Sequence, residues 1–181
     1  MEDIEHTYTI QWVGPLTYKD FREYIKRDDT IMSGYYNFYY FEARQGKCWY
    51  RYMGIRKKND GIEKRLNTQH EHFKEFKDGN EVRIWIGSLA SSKHQKYKNI
   101  DLIETLFIRA YSAMLTENKG KKQKEIDSSI CVINMWFNKN EEMQTYRVEK
   151  TALMMLSFII TRKICLNVGI CQGYGSMINE K

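Results

Sequence analysis

Proline is nearly absent: Pro15 is the only one in 181 residues, and no glycine- or serine-rich tract stands in as a linker. Nothing therefore marks a domain boundary, and a chain of this length suits one domain with a sizeable core better than two small ones. Internal repeats and low-complexity tracts are missing as well. The four cysteines, Cys48, Cys131, Cys165 and Cys171, include no close pair and have no histidine at the spacing of a zinc site. A reduced, cytoplasmic protein is the expectation. The segment Met1 to His6 is acidic and carries no apolar run, unlike a secretory signal. The most apolar stretch, Ala152 to Ile160, falls far short of the roughly 20 residues that span a bilayer, so no membrane role is expected.

What the chain does have is aromatic residues and positive charge. Hydrophobic residues make up 42% and aromatic residues 14%, which excludes a disordered or collagen-like chain. A net charge of +6 favours an anionic partner, most commonly nucleic acid or an anionic membrane surface. The excess is clustered in Arg56-Lys57-Lys58, in Lys93 to Lys98 and in Lys119 to Lys124, although each cluster alone also reads as a solvated loop.

Periodicity predicts a mixed α/β order, β-α-β-β-α-β-α-β with a tail. Tyr8, Ile10 and Trp12 alternate in a strand over Thr7 to Val13. Phe21, Tyr24 and Ile25 recur at helical spacing over Thr17 to Lys26, with Thr17 as N-cap. Two aromatic strands follow, Tyr36 to Phe41 and Cys48 to Ile55. Asp60 with Glu63 resembles a capping box for a helix that buries Ile62, Leu66 and Phe73. Val82, Ile84 and Ile86 alternate, Ile100 to Leu115 is the clearest helix, and Ser129 to Phe137 is a late strand. Thr151 to Lys163 fits a buried helix or a strand.

Three features carry chemistry. With Gln45-Gly46 as the two-residue turn of the aromatic hairpin, Tyr39 faces Tyr52, Cβ atoms roughly 4.5–5.5 Å apart, and two phenols project from one face; packed core aromatics fit the same pattern. On the next helix Arg65 lies about 80° from the centre of the apolar face, placed to reach a phosphate while its stem stays packed. A surface arginine fits equally. On the helix from Ile100, the residues Ile103, Leu106, Phe107, Ala110 and Met114 define a broad apolar face, and Glu104 falls between Tyr111 and Leu115 inside its extension. Asp101, Thr105, Arg109, Ser112 and Thr116 take the polar side. A carboxylate among apolar neighbours is costly without a cation, a metal or strong donors, which makes Glu104 the leading metal-ligand candidate beside a structural salt bridge.

In order, Asn37-Phe38-Tyr39-Tyr40-Phe41 resembles the first strand of the GIY-YIG nucleases, and Tyr52-Met53-Gly54 their second. Glu63-Lys64-Arg65-Leu66 resembles the helix with the family arginine. Ile103-Glu104-Thr105-Leu106-Phe107-Ile108, followed by Leu115 and Asn118, resembles the glutamate helix and closing asparagine. The resemblance spans Tyr36 to Asn118. It implies a nuclease core over 35–120, a small central antiparallel sheet flanked by helices, with 1–34 and 125–181 as additions packed on it. It also implies a metal-dependent endonuclease acting on DNA, duplex rather than single-stranded, of restriction or mobile-element type. Tyr39, helped by Tyr52, would position or deprotonate the attacking water. Arg65 would stabilise phosphate charge, Glu104 would hold one divalent ion, usually magnesium, and Asn118 would support the site. The chain departs from the family at Asn37, where glycine is usual, and at Gln69, where histidine is usual and arrives one residue late as His70. Those departures leave open a non-catalytic nucleic-acid-binding module of the same shape. An enzyme acting on a small phosphate ester has no motif behind it. Lys57, Lys58, Lys121, Lys122 and Lys124 are the expected backbone contacts of DNA. Oligomeric state is open, a dimer included.

Overall fold

Alternation along β1, His6–Leu16, sends Tyr8, Ile10 and Trp12 to one side, where they are at most 4% exposed. Thr17 then caps helix α1, Tyr18–Arg27, with a reciprocal pair: its Oγ1 accepts the Asp20 N–H at 3.1 Å, and its own N–H donates to Asp20 Oδ2 at 3.3 Å. Phe21, Tyr24 and Ile25 form the buried stripe of α1, as their spacing requires. In this computed structural model the described residues are 5–27, 36–56, 66, 81–111, 115, 118, 126, 129–143, 157–160 and 167–169.

The aromatic hairpin is β2, Asn37–Gln45, and β3, Cys48–Arg56. Strand β4, Glu81–Leu89, is followed by a short 3₁₀ turn and helix α2, Tyr97–Ala110. The helix begins three residues before the predicted Ile100 because its first turn, Tyr97 to Asn99, lies ahead of the apolar periodicity. Strands β5, Ile130–Phe137, β6, Ser157–Ile160, and β7, Asn167–Gly169, complete the described elements. Of the segment read as helix or strand, 157–160 is strand.

All seven strands join one sheet in the order β3-β2-β4-β1-β5-β6-β7. Its half containing β3, β2, β4 and β1 is antiparallel, but β1 and β5 run parallel from His6 beside Ile130 to Val13 beside Phe137. The fold is mixed α+β. The sheet corrects one expectation: it is neither small nor wholly antiparallel, since strands within 6–16 and 130–169 join it and β1 and β5 run parallel. Pairing with neighbours satisfies backbone groups that an isolated core would leave at its edges. Pro15, which cannot donate to a ladder, sits where the β1–β4 register shifts between Val13 and Leu16.

The two faces of the sheet have separate cores. On one, Trp12, Phe38, Tyr40, Met53 and Trp85 pack under Ile103, Leu106 and Phe107 of α2. On the other, Tyr39, Phe41, Ile84 and Ile86 pack under Phe21, Tyr24 and Ile25 of α1, together with Leu66. Leu66 is fully buried, as read from the sequence; Ile62 and Phe73 lie outside the described residues. Thr105, assigned to the polar side of its helix, is instead 1% exposed. Its Oγ1 donates to the Asp101 carbonyl at 2.7 Å, which lets a hydroxyl sit inside the packed face.

Candidate functional site

The hairpin turn is Gly46-Lys47, not Gln45-Gly46. Gly46 has φ +61°, and glycine at the first of two turn residues with positive φ is the pattern of a type II′ turn. The slip moves every cross-strand partner by two: Tyr39 pairs with Gly54, and Tyr52 with Phe41. Because strand side chains alternate with a period of two, a slip of two leaves them on the same face. Tyr39 and Tyr52 therefore still meet, diagonally, with ring centroids 6.0 Å apart and planes tilted by 31°. Phe41 lies 5.6 Å from Tyr52, so the pair sits in an aromatic row.

Gly54 makes this arrangement possible through space. A Cβ there would fall 2.5 Å from Tyr39 Cζ and 2.9 Å from Tyr52 Cε1. Tyr39, 2% exposed, lies across the strand where any side chain would stand.

Asn118 closes on the same strand from 65 residues away. Its Oδ1 accepts the Met53 N–H at 2.8 Å and its Nδ2 donates to the Met53 carbonyl at 2.6 Å. Among the described strands β3 is at the edge of the sheet, and this amide occupies the donor and acceptor that a further strand would have used at Met53. Asn118 is 7% exposed and Met53 fully buried, so both bonds are shielded from water.

Glu104 is 5% exposed on α2, as its place within the apolar arc predicts. The helix that carries it packs on the Met53 face, whereas Tyr39 and Tyr52 belong to the other. Arg65, Gln69, His70, Lys57, Lys58, Lys121, Lys122 and Lys124 lie outside the described residues. Arg56, read as part of a solvated basic cluster, is 3% exposed and donates from Nη1 to Asn37 Oδ1 at 3.0 Å. Asn37, at the position where the resemblance would expect glycine, thus has a partner for its carbonyl oxygen. Lys93, Lys96 and Lys98 are exposed, as a solvated cluster would be.

A polar ladder on the α2 face escaped the sequence reading. Tyr40 Oη donates to Glu42 Oε1 at 2.6 Å, and Arg51 Nε reaches the same oxygen at 3.3 Å. Burial, then the neighbouring Glu42 carboxylate, push the Tyr40 phenol far above its ordinary range, so it stays protonated and donates. Beyond it Arg44 and Arg83 flank the Trp49 ring, at 6.0 and 5.4 Å from its centroid. The signal was there: Glu42 and Arg44 share a strand face with Phe38 and Tyr40. Only the correct register sets Arg51 and Trp49 opposite them.

Among the described residues no three His, Cys, Asp or Glu side chains converge as a metal centre, and no helix is long and apolar enough to cross a membrane. Compared with family models, curated proteins and solved structures, the chain matches none.

Proposed function

We propose that this protein is a GIY-YIG-like nuclease that hydrolyses DNA phosphodiester bonds with one divalent ion, magnesium or a close substitute. One observation carries the reading. The positions singled out by resemblance, Tyr39, Tyr52 to Gly54 and Asn118, meet at one hairpin although Asn118 and Met53 are 65 residues apart. The antiparallel order β3-β2-β4, with α2 across it, supports the reading; the helix expected between β3 and β4 lies outside the described residues.

Phosphodiester hydrolysis needs an activated water, a cation for the developing charge and a Lewis acid. In this reading Tyr52, the partly exposed phenol of the pair, orients the water with Tyr39 packed against it, and Arg65 meets the phosphate. Phenols with a pKa near about 10 act as bases at neutral pH only beside such positive charge. Glu104 would hold the ion. A single carboxylate suits magnesium, which keeps several waters and takes its remaining ligands from substrate phosphate. Bound there, it supplies the Lewis acidity. Asn118 fixes β3, and with it Tyr52.

The test is incubation of purified protein with supercoiled plasmid and long mixed-sequence DNA, with magnesium or with chelator, beside Glu104→Ala. Magnesium-dependent nicking that disappears in the variant is the expected result. Cleavage that persists in chelator, or in Glu104→Ala, removes the metal role.

A second reading rests on the separation of the tyrosine pair from α2 by the sheet. It makes the chain a nucleic-acid-binding module that keeps the shape without the chemistry. DNA binding with no cleavage under any divalent ion would favour it.

A further inference from the structure

At the hairpin turn the sheet face shared with Tyr40 and Glu42 holds Trp49 only partly buried, with Arg44 and Arg83 against its ring. Arg44 and Arg83 side chains are 52% and 40% exposed, and Lys47 in the turn is exposed too. One carboxylate, Glu81, is shared between the arginines: it pairs closely with Arg83 and loosely, at 4.0 Å, with Arg44. Among the described residues, Arg44, Arg83 and Lys47 against Glu81 leave the patch positive around a flat aromatic surface.

We propose that this face binds an unpaired nucleic-acid strand, one base stacking on Trp49 and the adjoining phosphates meeting Arg44, Arg83 and Lys47. It rests on the nucleic-acid part of the reading above but on none of its catalytic residues. The chemistry selects the ligand. An aromatic plane framed by cations matches a base flanked by phosphates, and every base offers a π-face whatever the sequence. A duplex keeps those faces inside its own stack, so Trp49 selects for a strand that is open. Cross-strand pairing sets the geometry: Arg44 is opposite Trp49 on β2, and Glu81 is opposite Arg44 on β4. The platform is therefore carried by three hydrogen-bonded strands and not by a loop. It lies four residues along β3 from Met53, roughly 13 Å at strand spacing, near enough for one bound strand to approach both.

The experiment measures anisotropy of a labelled oligothymidylate about fifteen nucleotides long, within the span one such surface covers, and of a duplex of equal length, in chelator. Trp49→Leu should weaken single-strand binding about tenfold or more and leave duplex binding within about twofold. Trp49→Phe, which keeps a ring, should recover most of the loss. Arg44→Gln with Arg83→Gln should lower the slope of log affinity against log salt by about 1.4, at about 0.7 per single-strand phosphate contact. Unchanged binding in Trp49→Leu, or equal losses for strand and duplex, overturns the platform. Should Trp49→Leu melt well below the parent, the salt slope of the arginine pair decides alone, and an unchanged slope overturns the platform. Stacking at Trp49 without magnesium-dependent cleavage would sink the nuclease and keep the platform; cleavage with no loss in Trp49→Leu would do the reverse.

Discussion

Replacing Asn118 by alanine should cost far more than a surface substitution, because it strands two buried backbone groups at once. The Met53 N–H and carbonyl lose their partners at 2.8 and 2.6 Å, on a residue with no exposure of its own. A buried donor or acceptor left unsatisfied costs about 1–3 kcal/mol, so two give roughly 2–6 kcal/mol. Asn118 retains 7% exposure, and water entering the vacated space would recover part of that. The expected loss is therefore roughly 2–4 kcal/mol, a large share of the stability of a typical domain. Urea unfolding of parent and variant measures it directly, as a lower midpoint at unchanged slope.

Asn118→Asp sharpens the test. The carboxylate still accepts from the Met53 N–H but sets a second acceptor against the Met53 carbonyl, with little water to solvate the charge. It should be at least as unstable as Asn118→Ala at neutral pH. Burial and the facing carbonyl raise the folded-state pKa of the new acid. Its penalty should therefore shrink as pH falls below that value, where a protonated acid can donate. A loss below about 0.5 kcal/mol in Asn118→Ala, or an Asn118→Asp variant that never recovers in acid, would refute the clamp on β3.

Gly54→Ala places a methyl group against the Tyr39 and Tyr52 rings and should cost about 1–3 kcal/mol by overpacking; urea unfolding with no change would mean that Tyr39 does not cross the strand there. Thr17→Ala should cost about 0.5–2 kcal/mol by removing the α1 cap. The Thr17 hydroxyl first, and Lys139 second, hold the Asp20 carboxyl below its ordinary value. That contribution is complete above the unfolded value near about 4 and is lost as pH falls through the depressed folded value. Stability of the parent should thus drop more steeply with acid than that of Thr17→Ala, and parallel pH profiles would count against it. Under the nuclease reading, magnesium should raise the melting temperature of the parent but not of Glu104→Gln; an equal rise in both would place the ion elsewhere.

Elements announced by repeated side-chain spacing were legible in the sequence. Tyr8, Ile10 and Trp12 could alternate only as a strand with one buried face, and Thr17 with Asp20 fixes the start of α1 by local bonds. The burial of Glu104 was legible because helical geometry alone places it inside the apolar arc. What failed depended on non-local pairing or on one turn. Nothing in Ile130 to Phe137 says that this strand runs parallel to β1, because that choice is made by long-range contacts and not by local pattern. The hairpin register hinged on which residue pair takes the turn, and glycine's tolerance of positive φ put Gly46 first. Tyr39 and Tyr52 survived that error as neighbours because the slip was even. The Glu42–Arg51 pair and the Arg44–Trp49 pair were hidden by it.

The sheet also constrains where a nuclease site could lie, and here the two tyrosines part company. Tyr39 is on β2, one strand in from the edge, and is 2% exposed; Tyr52 is on the edge strand β3 and is partly exposed. Helix α2, with Glu104, lies on the opposite face and mainly against β3. A phosphate over the middle of β2 would meet the tyrosine face alone, with the sheet between it and Glu104. A phosphate at the rim of β3 could be reached from both faces, beside the backbone that Asn118 grips. Under the nuclease reading, and among the described residues, the rim of β3 is where phenol, carboxylate and substrate would come together, and Tyr52 is the phenol of the pair able to touch water. Tyr52→Phe should then reduce the cleavage rate by about 100-fold or more, the scale of a lost proton-transfer group. Tyr39→Phe, with its ring still lying across Gly54, should lose about tenfold at most. Single-turnover cleavage of plasmid by the two variants, both checked for parental melting temperature, compares them directly. The reverse order would move the water to Tyr39 and over β2, and with Glu104 beyond the sheet it would leave the metal without its ligand.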